Sequence, residues 1–207
     1  MKYKKYFRKT SLKQDGIGEQ FLNEIALKKP KTFLEIGVFH GVTARNVCEL
    51  LHGIHGKDFK YIGLDLFGKS FENANEIIPN TKFNNPLKKI YFEYILKQDP
   101  YSIKAVAYLL RKFEKNTYLV KGNSNHLLKK MDMSKIDYVF LDGGHAYETV
   151  KSDLESCTPV IDNNGTVLCD DYNLSYAPGV KKAVDDFIET YKYKIRIINT
   201  RFARIEK

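Results

Sequence analysis

Cysteine is scarce in this chain: the 207 residues include three, Cys48, Cys157 and Cys169, at spacings that match neither a disulfide framework nor a zinc site. Cys48 and Cys169 fall in apolar segments, where a small thiol packs as a core residue. Nor does any apolar run approach the roughly 20 residues that span a bilayer, so the sequence is not read as membrane-spanning. The basic stretch MKYKKYFRKTSLKQDG lacks the apolar core and small-residue cleavage site of a secretory signal. Together these absences set the expectation of a cytoplasmic protein. Internal repeats and low-complexity tracts are missing as well, which sets aside a repeat architecture.

What remains is ordinary in bulk: 43% hydrophobic and 29% charged residues, in a length that fits one domain able to bury roughly 70% of its unfolded surface. The net charge of +9 leaves an anionic partner open, but the lysines are spread along the chain. The densest basic cluster, Lys2, Lys4, Lys5, Arg8 and Lys9, reads as a solvated tail or helix face.

Short strand-like apolar runs alternate with helix-like periods, the pattern of a parallel sheet covered by helices. Ile17–Lys28 is expected to be helical with Ile17, Phe21 and Ile25 on one face; residues 1–30 form an N-terminal helical segment of a single domain spanning 1–207. Strands are expected at Thr32–Val38, Tyr61–Leu66, Thr117–Lys121, Ile136–Asp142 and Gly165–Asp170, and a helix at Val42–Leu51. Pro178 and Gly179 introduce a helix to Tyr191 whose apolar stripe is Val180, Ala183, Val184, Phe187 and Ile188. Lys194–Ile198 and Phe202–Ile205, linked at Asn199 and Thr200, are expected to pair antiparallel at one side of the sheet. Phe67–Tyr101, rich in Asn and aromatics and holding Pro79, Pro86 and Pro100, breaks the alternation and reads as an inserted cap.

Two stretches carry the chemistry. IDYVFLDGGHAYE and GTVLCDDYN each end an apolar run in acid: Asp142 in the first, Asp170 and Asp171 in the second. Ligands in an open α/β sheet bind beyond the carboxyl ends of its strands, so these acids are expected to face one crevice. Two carboxylates about 4 Å apart repel by roughly 4 kcal/mol at an effective dielectric near 20. Either one takes up a proton or a hard divalent ion such as magnesium sits among the oxygens. Taken singly, each Asp is better explained as a helix cap or a solvated loop residue; the pair of strand ends together, beside a matching cofactor half-site, favours a binding site.

The other half of the site begins at FLEIGVFHGVTARN, where a strand ends in a glycine turn that opens into a helix. The pattern is Glu35-x-Gly37-x-x-x-Gly41, without the middle glycine that a dinucleotide's pyrophosphate needs, and Glu35 would repel that group. An acid there suits a ligand's ammonium, and the amides from Gly41 to Thr43 suit its carboxylate. Val38 lies in the same turn. Asp65, followed by Leu66, is placed to accept from ribose hydroxyls. Asn123 and Ser124 suit either an adenine edge or a helix N-cap.

The sequence Glu-x-Gly-x-x-x-Gly, strand-end Asp65, GNS, FLDGGHAYE, VLCDDY and PGVKKAVDDF resembles the class I S-adenosylmethionine-dependent methyltransferases. It particularly resembles their small metal-dependent O-methyltransferases, related to macrocin and catechol O-methyltransferases, from about Thr32 to Lys207. The resemblance implies a Rossmann-like α/β fold: a seven-stranded, mostly parallel sheet in the order 3-2-1-4-5-7-6, strand seven antiparallel, with a cap at 67–101. It implies S-adenosylmethionine held by Glu35, Gly37, Val38, Gly41, Thr43, Asp65, Leu66, Asn123, Ser124 and Asp142. It further implies a divalent metal, expected to be Mg²⁺, on Asp142, Asp170 and Asp171. Catechol-type members place Asn at the position of Asp171; the acid here is closer to the macrolide-sugar type.

On this reading a small-molecule or glycan hydroxyl is the methyl acceptor, made more nucleophilic by the metal, with His145 taking its proton. Alternatives are a nucleic-acid or other non-metal methyltransferase, and a non-catalytic binding module on the same fold. Base-amino methyltransferases resemble one another in an N/D-P-P-Y/F motif where this chain reads Asp142-Gly143-Gly144-His145, and ribose 2′-O enzymes carry Lys where it has Asp170. Nucleic acid is therefore disfavoured as substrate; a homo-oligomer is left open by the edge hairpin and the cap.

Overall fold

The structure is a computed structural model that describes residues 1–3, 8–14, 16–67, 85–97 and 99–207. Helix α1 (Ile17–Lys28) buries Phe21 and Ile25 completely, and it stops where Lys29 turns left-handed ahead of Pro30. Strand β1 (Thr32–Ile36) follows, then α2 (Val42–His55) and β2 (Lys60–Asp65). Short α3 (Pro86–Ile90) runs into a π-turn at Tyr91–Ile95. Next come α4 (Ile103–Leu110), β3 (Thr117–Lys121), α5 (Ser124–Leu127), β4 (Tyr138–Leu141), α6 (Tyr147–Ser156) and α7 (Thr158–Asp162). The chain closes with β5 (Thr166–Cys169), α8 (Pro178–Tyr191), β6 (Lys194–Ile198) and β7 (Phe202–Glu206).

The seven strands form one sheet in the order β3-β2-β1-β4-β5-β7-β6, with β7 antiparallel to both its neighbours and the other pairs parallel. This is the Rossmann-like methyltransferase arrangement expected from the resemblance. Side chains alternate across each strand, so the sheet divides the core in two. Leu34, Ile36, Val139, Leu141, Val167 and Cys169 face α6, α7 and α8. Phe33, Tyr61, Tyr138, Phe140 and Leu168 face α1, α2 and α4.

On the second face the register sets Phe33 opposite both Tyr61 and Tyr138. Their rings stack across three strands at 6.1 and 5.2 Å, while Phe140 meets Phe21 of α1 at 4.4 Å. Each such fully buried side chain contributes about 1.5–3 kcal/mol of transfer free energy, which ties α1 and the three central strands into one body. Of the stripe expected on α8, Val180, Ala183, Val184 and Phe187 are buried and Ile188 packs at their margin.

The strands end earlier than the apolar runs suggest. β4 stops at Leu141 and β5 at Cys169, although the amides of Asp142 and Asp170 still donate to Ile36 and Leu141 at 2.8 and 2.9 Å. The acids thus stand just past the sheet, where the ladder ends and side chains can turn to the crevice. Of the expected 67–101 cap, residues 68–84 and 98 lie outside the described residues. Among those described, no helix is long and apolar enough to cross a membrane.

Candidate active site

From β1 the chain goes to β2 and β3 on one side and returns to β4 on the other, so the loops after β1 and β4 part and leave a crevice. A cavity of about 350 Å³ occupies it, lined by Gly37, Val38 and Phe39 after β1, by Asp65 and Leu66, by Asn123 and Ser124, by Asp142 to His145, and by Asp171. Lys9, Thr10 and Ser11 of the N-terminal segment and Tyr101 and Tyr176 complete its walls.

The glycine turn is shaped by close approach. Gly37 has φ +94, and a Cβ there would collide with the backbone carbonyl of Asp142. Gly41, φ +72, caps α2, but its amide is bonded to the carbonyl of Val38 at 2.9 Å. The anion-seeking end of α2 is therefore presented at Val42 and Thr43, which line the cavity.

Glu35 departs from its expected place. It is fully buried behind the turn rather than on the cavity wall, because residue 35 shares the sheet face of Phe33 and points beneath α2. Its Oε2 accepts from the Tyr61 hydroxyl at 2.5 Å, while Oε1 accepts no hydrogen bond among the described residues. Burial pushes its carboxyl up to about 8. A neutral, enclosed acid has no charge to offer an ammonium group, so Glu35 is a structural residue below the site.

Asp65 does line the cavity and is densely coordinated. Oδ2 accepts from the amide of Phe39 at 2.8 Å; Oδ1 accepts from the amide of Phe67 and from the Tyr101 hydroxyl, both at 2.8 Å. Burial and the neighbouring Asp65 raise the Tyr101 pKa, keeping that hydroxyl a donor. Tyr101 thus stands where a ribose hydroxyl would be expected to donate. Asn123 resolves toward its capping alternative: its side chain accepts from the amide of Asn125 at 3.0 Å at the start of α5. The hydroxyl of Ser124 turns to Asp153 on α6 at 2.9 Å, leaving backbone and amide edges of this loop toward the cavity.

At the other end, Asp142, Asp170 and Asp171 converge, with one oxygen of each within 4.8 Å of the others. Asp171 adopts a left-handed backbone, φ +58, which Asp tolerates better than most residues. Its Oδ2 meets Nε2 of His145 at 2.9 Å and its Oδ1 accepts from Tyr176 at 2.9 Å. Burial works to raise its pKa, but His145, Arg201 and Tyr176 outweigh that and leave it below the ordinary value. Burial and the neighbouring acids push Asp142 well above its usual range, and burial also raises Asp170.

Arg201 is the residue that sequence reasoning missed. It spans both oxygens of Asp170, Nε to Oδ1 at 2.5 Å and Nη2 to Oδ2 at 2.6 Å, and Nη2 lies 3.3 Å from Asp171 Oδ1. The acids therefore already have a cation. An all-oxygen donor set suits Mg²⁺ by chemistry, but both oxygens of Asp170 and of Asp171 are engaged by protein donors, and a guanidinium stands among them. The expected convergence of Asp142, Asp170 and Asp171 is present, but with the guanidinium in place the residues do not fit a divalent ion in this arrangement. The signal was the register: β7 runs antiparallel to β5 with Cys169 opposite Ala203, so the residues before Phe202 come level with the acids after Cys169.

Comparison with known proteins supports the same fold. No curated protein matches the sequence. The O-methyltransferase NovP superposes with a TM-score of 0.66 at 18% identity, covering 96% of this chain and 83% of its own. The calicheamicin methyltransferase CalS11 gives 0.62 at 17%, covering 90% and 76%. The S-adenosylhomocysteine-bound methyltransferase PaMTH1 of Podospora anserina gives 0.59 at 18%, covering 93% and 79%. A family profile described as a methyltransferase domain matches residues 34–172, which takes in β1 through the Asp170–Asp171 pair, and the chain belongs to that methyltransferase family.

Proposed function

We propose that the chain transfers the methyl group of S-adenosylmethionine to a hydroxyl oxygen of a small molecule or glycan. The observation that carries this reading is one cavity with two unlike ends. One end offers the α2 N-terminus for a carboxylate and Asp65 for a ribose whose hydroxyl takes the place of Tyr101's on Oδ1; the other holds the His145–Asp171 pair, 2.9 Å apart. Similarity to the O-methyltransferases NovP and CalS11, and to a methyltransferase with S-adenosylhomocysteine bound, supports the choice of cofactor and of oxygen as acceptor.

Methyl transfer from a sulfonium is an in-line displacement: the acceptor oxygen forms a bond to carbon as the carbon–sulfur bond breaks, and the hydroxyl proton must leave. The protein's part is to align the two groups, exclude water and receive the proton. The Asp171 carboxylate meets Nε2 of His145 at 2.9 Å, which orients the ring, as an acid behind a histidine base does elsewhere. His145 itself lines the cavity, beside the place where an acceptor hydroxyl would enter. Tyr176, edge-on to His145 at 5.9 Å, supplies an apolar face for a ring-shaped acceptor.

The experiment pairs calorimetry with turnover. S-adenosylhomocysteine is expected to bind the wild type and to bind Asp65→Ala at least about tenfold more weakly, since hydrogen bonds to a charged group contribute roughly 1.5–3 kcal/mol. His145→Gln is expected to keep that affinity while losing about 10²- to 10⁴-fold in turnover against an active hydroxyl acceptor. Absence of S-adenosylhomocysteine binding to the wild type would overturn the function.

A further inference from the structure

Asp170 and Asp171, both buried, and the half-buried Asp142 bring their carboxylates within 4.8 Å of one another; such a cluster needs a positive charge, and the chain brings its own. The Arg201 guanidinium meets Asp170 as a two-pronged fork, Nε and Nη2 lying 2.5 and 2.6 Å from its two oxygens. It reaches Asp171 at 3.3 Å and donates to the Ser11 carbonyl at 3.4 Å. Its side chain is 6% exposed and that of Asp170 1%, so neither charge is screened by solvent and neither leaves the pair cheaply. A planar fork satisfies both carboxylate oxygens at once, which a mobile ammonium does not.

We propose that Arg201 is the resident cation of the Asp142–Asp170–Asp171 cluster, occupying the role that the resemblance assigns to a divalent ion, and that the cluster takes up no metal while Arg201 is in place. Arg201 is then a positioning residue. It pins Asp170, shares Asp171 with His145 and Tyr176, and so holds the imidazole at the cavity wall. Any dication ligated by the three carboxylates would meet the guanidinium across an oxygen shared with Asp170 or Asp171, at a separation where like charges repel strongly in a poorly solvated site. The ion-pair geometry alone carries the metal-free cluster; its bearing on turnover rests on the methyl-transfer reading above.

Paramagnetic resonance of Mn²⁺ tests this without any acceptor substrate. The wild-type chain is expected to leave millimolar Mn²⁺ free and to show a melting temperature unmoved by Mg²⁺. Arg201→Met is expected to take up one Mn²⁺ per chain, and Arg201→Met combined with Asp170→Asn to lose it. Uptake by the wild type that Asp170→Asn abolishes, or a folded Arg201→Met that still takes up none, would overturn the proposal. Wild-type uptake that Asp170→Asn leaves intact lies elsewhere and keeps the cluster metal-free as proposed. Should Arg201→Met not fold, the wild-type and Asp170→Asn titrations decide alone. Binding of S-adenosylhomocysteine, measured on the same samples, separates failure of this inference from failure of the methyltransferase reading.

Discussion

Glu35 and Arg201 show how far a residue's role depends on what surrounds it. Both are buried and ionisable, yet Arg201 has its countercharges at hydrogen-bond distance and stays charged, while Glu35 has one tyrosine hydroxyl and surrenders its charge. The consequence for Glu35 is a pH dependence with a definite sign. Its folded pKa of about 8 lies above the unfolded value of about 4.3, so the unfolded state ionises first. The group costs nothing below that lower value, and stability falls as pH rises through the interval until the folded state also ionises near 8. Glu35→Gln removes the effect. The variant is expected to gain on the wild type by on the order of 1 kcal/mol per pH unit across this window, read from urea unfolding at several pH values. A pH-independent difference would show that Glu35 is charged in the fold. From sequence, Glu35 looked like a ligand to an ammonium group because strand-end acids often are; the parity that puts it on the face of Phe33 was readable, but the depth of α2 above it was not.

At the scale of elements, two turns do most to form the site, and they differ in legibility. The turn after β1 announced itself by Gly37 and Gly41, and the structure supplies the reason: Gly37 combines φ +94 with backbone contact against Asp142. Gly37→Ala forces both a disfavoured backbone and a clash that no side-chain rearrangement relieves, since the obstacle is a carbonyl. A loss of about 3 kcal/mol or more in unfolding free energy is expected, measured by denaturant titration. A cost under about 1 kcal/mol would mean β1 and β4 separate easily there. The β6–β7 turn gave a weaker signal. Asn199 and Thr200 have φ +52 and +58, both central residues left-handed as in a tight hairpin turn, although a β-branched Thr is unusual there. The polar link told that the strands pair; it did not tell that Arg201, the next residue, would be delivered to Asp170 31 positions earlier.

For the molecule as a whole, the sheet order makes a gradient of stability. β4 lies between β1 and β5, with all four of its residues buried, while β6 is an edge strand exposed along most of its length. Amides of Tyr138–Leu141 are expected to exchange with solvent only through global unfolding. Those of Lys194–Ile198 are expected to exchange at least about 100-fold faster by local opening, as followed by NMR. Equal protection at both would show that the hairpin folds as one unit with the central strands, or that its edge is covered in solution.

Local pattern alone settled the succession of strands and helices, the apolar faces of α1 and α8, and the placing of Asp65, Asp142, Asp170 and Asp171 at strand ends, because burial periodicity and turn chemistry act between near neighbours in the chain. Tertiary structure decided which of those acids keep their charge and what neutralises them. That Glu35 is sealed beneath α2, that Tyr101 reaches Asp65, and that Arg201 fills the acid cluster all follow from contacts between residues far apart in sequence. Electrostatic free energy depends on distance and solvent access, and neither exists until the sheet has assembled.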